Sequence, residues 1–170
     1  MPLVVASVAG DVARVRELLE TIANETIANV NFTEVDGGRT ALVRASEHGQ
    51  ADCVRVLLEF GGDVNCVLSH GATPLVYAVL TSFIGHTECT RLLLEAGADS
   101  NSASVFGDTV LMLASAEASA STSSNTGVLS LLLEAGANVL EIDESEGTAL
   151  GYGSAKLDVV QLLCAYVARR

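Results

Sequence analysis

The sequence predicts an all-α solenoid of stacked helix-turn-helix units joined by extended turn fingers, and three observations predict it. First, one segment recurs almost unchanged, at residues 57–65 (Leu-Leu-Glu-Phe-Gly-Gly-Asp-Val-Asn), 93–101 (Leu-Leu-Glu-Ala-Gly-Ala-Asp-Ser-Asn) and 132–138 (Leu-Leu-Glu-Ala-Gly-Ala-Asn). Leu18-Leu19-Glu20 and Leu162-Leu163 mark two less complete copies. Second, a Gly-x-Thr or Gly-Thr stands upstream of each later copy, at Thr40, Thr73, Thr109 and Thr148. Third, the threonines are 33, 36 and 39 residues apart, within the 20–50-residue range that marks stacked repeats.

Each element of the unit has a physical reading. Thr40, Thr73 and Thr109 open short apolar-periodic helices, where a hydroxyl can satisfy first-turn N–H groups. Gly49 or Gly85 then turns the chain. A second amphipathic helix follows, as in Cys53-Val54-Arg55-Val56-Leu57-Leu58. It closes at Gly61, Gly97 or Gly136, since glycine takes a left-handed cap at least cost. Such a hairpin is too small to bury its own apolar face, so neighbours must stack. Five units are expected, over about 1–35, 36–68, 69–104, 105–143 and 144–170, forming a single domain.

Irregularities fall in particular units. Three extra residues near 80–84 are expected to lengthen the first helix of unit three, and six extra residues within 116–126 are expected to form a polar loop in unit four. Unit five is three residues short in its first helix, where Gly151 and Gly153 weaken helix formation.

Composition narrows the function. With 49% hydrophobic residues but only 4% aromatic and no Trp, the core must be mostly Leu, Val and Ala. A net charge of -12 argues against a phosphate-backbone partner, and no nucleic acid is expected, because such affinity rests on cations displacing counterions. No Lys or Arg occurs between Arg91 and Lys156, while nine acids do, so that stretch attracts basic surfaces. No apolar run is long enough for a membrane span, and the N-terminus lacks a basic leader. Cys53, Cys66, Cys89 and Cys164 show no metal spacing and are expected as buried free thiols in a cytoplasmic or nuclear protein.

These repeats resemble the ankyrin family. Thr73-Pro74-Leu75 is similar to its Thr-Pro-Leu-His, Gly85-His86 to its Gly-His turn, and residues 94–99 to its helix end. The resemblance covers essentially the whole chain. The family histidine after Thr-Pro-Leu is missing, with Val43, Val76, Met112 and Gly151 in its place. The inter-repeat hydrogen bonding it supports is therefore not expected, and apolar stacking should carry more. Asn65 and Asn101 match a position that asparaginyl hydroxylases modify in the family.

The resemblance implies a protein-binding module shaped like a cupped hand, with fingers and first helices making contact. By correspondence the contact positions include Asp36, Arg39, Glu47, His70, Leu80, Val105, Phe106 and Glu117. The apolar residues Phe32, Leu68, Val105 and Phe106 on turns either form a row across successive fingers or pack against neighbours. The acids Glu141, Asp143, Glu144 and Glu146 add a charged last finger. A monomer binding a partner with apolar and basic character is expected, with neither cofactor nor metal. Adaptors, enzyme inhibitors and assembly chaperones all share this architecture. A catalytic reading lacks converging groups. His48 and His70 have no Cys or Ser at a recognisable spacing, His86 matches the structural turn histidine, and Gly151–Lys156 only faintly resembles a phosphate loop.

Overall fold

The computed structural model describes residues 2–24, 30–33, 38–68, 71–80, 86–120 and 126–169. Among these lie ten helices: α1 (Pro2–Ala9), α2 (Val12–Asn24), α3 (Ala41–Glu47), α4 (Ala51–Glu59), α5 (Pro74–Val79), α6 (His86–Glu95), α7 (Val110–Ala120), α8 (Thr126–Glu134), α9 (Ala149–Tyr152) and α10 (Leu157–Val167). Odd-numbered helices pack on one another in sequence order, and so do the even-numbered ones. The result is two helical layers with one continuous core between them.

The threonine caps form as the sequence requires. The hydroxyls of Thr40, Thr73, Thr109 and Thr148 accept from the backbone N–H three residues on, at 3.2, 3.4, 3.3 and 3.1 Å. Pro74 takes the first helical position, where its missing N–H costs nothing. Leu57, Leu93, Leu132 and Leu163 occupy equivalent places in the outer layer and are fully buried. His86, also buried, bonds through Nε2 to the Glu47 carbonyl at 3.1 Å and ties unit three to unit two.

Inter-repeat hydrogen bonding is stronger than the missing histidine implied, because asparagines supply it. Asn31 donates to the Gly61 carbonyl at 3.2 Å and accepts from Asp63 N–H at 2.7 Å. Asn65 repeats both bonds one unit on, to Gly97 and from Asp99, each at 3.0 Å. Asn101 accepts from Asn138 N–H at 2.8 Å. The next position in this register is Leu140, 75% exposed, and there the ladder stops.

Of the two length expectations, the first falls on residues that lie outside the described ones, 81–85; the described part of the helix, α5, runs to Val79 with Leu80 as its cap, and the second expectation is corrected. Residues 116–120 are helical, not loop, because the alanine-rich run Ala114–Ala120 favours helix and Ala118 is buried against the core. Residues 121–125 lie outside the described residues. The first helix of unit five is short as expected, at four residues.

The cysteines divide. Cys53 and Cys89 are buried and Cys66 half-buried, but Cys164 is exposed on α10, the last described helix. Burial pushes the Cys89 thiol up to about 12. All four are free. No helix among the described residues is long and apolar enough to cross a membrane.

Candidate protein-binding face

The fingers are built alike. In the three fingers before units three, four and five, one backbone N–H beneath the tip bonds the carbonyl four residues on: Leu68 to Ala72 at 3.0 Å, Ser104 to Asp108 at 3.0 Å and Asp143 to Gly147 at 3.1 Å. That position points inward. Leu68 is therefore only 6% exposed and packs in the core, and Asp143 is only 7% exposed. Asp143 was expected as a surface acid and is corrected; for Leu68, offered as a contact residue, the packed reading holds and the exposed one is corrected. Position under the turn outweighs residue type.

Asp143 acts as an anchor for its finger. Its carboxylate accepts from Tyr152 OH at 2.6 Å, Ser145 N–H at 2.7 Å and Gly147 N–H at 2.9 Å. The Tyr152 hydroxyl and these backbone donors hold the carboxyl below the usual range, and the same bond raises the Tyr152 phenol. Ser104 plays the lesser version in finger four, accepting from Phe106 N–H at 3.2 Å and donating to Asp108 at 3.0 Å.

The tip above is solvent-facing. Phe106 is 65% exposed, with Val105 beside it, and Leu80 at the end of α5 is 42% exposed. Together with Tyr77, Leu113 and Asp108 these residues line a cleft of about 220 Å³ between fingers and first helices of units three and four. Tyr77 and Leu113 are the residues sequence reading missed. Their signal was a register: four places after each threonine come Arg44, Tyr77, Leu113 and Tyr152, a column along the first-helix layer.

The other expected contacts scatter around this cleft. Arg39 bonds both Glu47 oxygens at 3.1 and 3.2 Å, and its guanidinium lies 5.2 Å from the Tyr77 ring centre. Arg44 joins Glu47 at 3.2 Å, so two guanidinium groups share one carboxylate on this side of the face. On the other side, Glu144 N–H bonds the Phe106 carbonyl at 3.3 Å, which sets an exposed acid next to the apolar tip. Glu141 accepts from Asn138 at 2.7 Å and is exposed, as is Glu146. Glu117 sits half-buried on α7. Phe32 is exposed in the turn before unit two, but Leu68 is buried, and among the described residues no continuous apolar row joins Phe32 to Phe106. Asp36 and His70 lie outside the described residues.

A second apolar groove, of about 410 Å³, lies at the far end between the last finger and α10, lined by Leu140, Leu150, Leu163, Cys164 and Val167.

Two stacked helical layers with bonded turn fingers define a helical-repeat solenoid, a class whose extended surfaces bind other macromolecules. Residues 3–104 match the family described as Ankyrin repeats (3 copies), and residues 106–144 match Ankyrin repeat. The chain belongs to the ankyrin-repeat family. Among curated proteins it is similar to the human 2-5A-dependent ribonuclease, 38% identical over 74 residues, which is 44% of this chain and 9% of that protein. It is also similar to human Ankyrin repeat and SOCS box protein 16, 40% identical over 74 residues, or 44% of this chain and 15% of that protein. The chain thus matches only a small part of the length of either relative.

Proposed function

We propose that this chain is a non-catalytic binding module whose fingers and first-helix layer hold a protein partner of apolar and basic character. The family match makes protein interaction the general role. The observation that carries the finer reading is the exposed Val105-Phe106 tip above an apolar cleft. Large exposed apolar side chains on a rigid turn next to a concavity are what a partner's anchor residues fill. An acidic surround steers basic partners and sets association rate more than affinity.

The ribonuclease relative does not argue for catalysis here, because the similarity spans only 9% of that protein. The test is affinity capture with wild type and with Val105 and Phe106 both truncated to alanine. Loss of the captured partner, at a cost of about 2–4 kcal/mol, is expected if these are central contacts. Fold retention by circular dichroism is expected too, because both side chains face solvent. Equal capture by both forms contradicts the reading.

A further inference from the structure

The cleft beside Phe106 is small and its electrical surroundings are lopsided, and together these describe what fits it. A dry cavity of roughly 150 Å³ suffices for benzene. At about 220 Å³, the space bounded by Tyr77, Leu80, Val105, Phe106 and Leu113 takes one large apolar side chain and little more. Its polar edge is formed by Ser104 and Asp108, the Asp108 carboxylate accepting from the Ser104 hydroxyl. Towards unit two, the Arg39–Glu47–Arg44 cluster sets two guanidinium groups against one carboxylate, which disfavours a further cation on that side, and Arg39 already lies over the Tyr77 ring. Towards unit five, Glu144 is held beside Phe106 by a backbone bond and stays exposed, and no cation occurs in sequence between Arg91 and Lys156.

We infer that the cleft is an anchor subsite for an extended peptide segment, taking one Leu, Ile, Met or Phe side chain with a Lys or Arg lying towards Glu144. The spacing follows from geometry. Packed helices lie about 8–10 Å apart, so neighbouring fingers do too, and an extended chain advances about 3.3 Å per residue. The basic residue therefore falls about two to four positions from the anchor, in either chain direction. Arg is favoured over Lys, since its planar fork matches a carboxylate. A segment with an acidic residue at that place meets Asp108 and Glu144 and is rejected. The inference rests on the reading that this face binds protein, and it adds what kind of segment and in which register.

The test is selection of a random twelve-residue peptide library against the full chain, followed by fluorescence-anisotropy titration of the recovered peptides. Wild type, Phe106→Ser, Leu80→Ser and Glu144→Gln are compared, all exposed sites, with thermal melts to show that each folds; Val105→Ser replaces either apolar variant if it does not. Recovered peptides are expected to share an apolar residue and an Arg or Lys about two to four positions apart. Affinity should fall about tenfold or more for Phe106→Ser and Leu80→Ser. It should fall about threefold for Glu144→Gln at low salt, a difference that vanishes at high salt. Peptides that bind at the cleft but carry no basic residue overturn the segment chemistry and leave the protein-binding face standing. A library yielding no binder overturns the linear segment in favour of a folded partner surface. Peptides indifferent to both Phe106→Ser and Leu80→Ser overturn the subsite and the underlying reading together.

Discussion

Units one to three and units four to five use their polar side chains differently. In the first three, charges and amides on the surface reach across to other units. Arg16 pairs with Glu59 at 3.2 Å, Arg55 with Glu88 at 3.3 Å, and Asn31 and Asn65 bridge successive fingers by two bonds each. In the last two, helices α8 and α10 carry no cation, the ladder ends at Leu140, and exposed acids and apolar residues accumulate at Val105, Phe106, Glu141, Glu144 and Glu146. Surface ion pairs contribute only about 0–1 kcal/mol each, so the pairs alone do not rank the halves in stability. The difference teaches where the molecule holds itself together and where it leaves side chains for something else.

The largest effect expected from that contrast is at the ladder. Asn65→Ala removes two inter-unit bonds and leaves backbone groups of Gly97 and Asp99 without that partner, at a cost of about 1–2 kcal/mol in urea denaturation. Leu140→Ala, at the same register, should change stability by less than about 0.5 kcal/mol. Equal costs at the two sites would erase the distinction between halves.

Next is a flaw inside the well-bonded half. Thr90 is fully buried in α6 and its hydroxyl has no hydrogen-bond partner among the described residues, while the equivalent places hold Val54 and Leu129, also fully buried. Thr90→Val should stabilise the fold by about 1 kcal/mol, through relief of an unsatisfied buried hydroxyl. A destabilised variant would mean that the hydroxyl has a use the packing does not show.

In the other half, Glu146 is the only described non-glycine residue with positive φ, at 62°. Gly38, Gly71 and Gly107 take the same conformation at the same place in earlier fingers. A left-handed L-residue costs about 1–2 kcal/mol, and glycine's extra unfolded-state freedom takes back about 0.5–1. Glu146→Gly should therefore gain about 0.5 kcal/mol, read as a higher urea midpoint. A lower midpoint would show that the acid itself is needed in the turn.

The smallest effect concerns acid. Because the folded-state carboxyl of Asp143 lies below its ordinary value of 3.8, its stabilisation is complete above that pH and is lost as pH falls through the depressed folded value. Wild type should lose more stability than Asp143→Asn between about pH 4 and pH 2. Parallel acid profiles would show that the bond to Tyr152 is not a stabilising link.

Much of this was legible in the sequence. The threonines, the Leu-Leu-Glu ends and the glycine terminators fix their local structure through capping and backbone freedom, so helix starts and ends could be read directly. Phe106 and Leu80 were expected on the surface and are exposed, because turn tips and helix ends keep a fixed register in the repeat. Leu68 and Asp143 were misplaced because one residue along a finger separates tip from anchor, and side-chain chemistry does not report that rotation. The asparagine ladder escaped notice because its bonds span 30 to 37 residues, a relation that exists only once units stack.

The central claim is that partner binding lies on the fingers and first helices of units three and four. Hydrogen–deuterium exchange of the chain with and without its captured partner tests it most directly. Added protection should centre on residues 76–80 and 104–113 and extend to 144–147, while α2, α4 and α6 exchange as before. Protection confined to the even-numbered helices, or to Leu140, Leu150 and Val167 at the far groove, would contradict it.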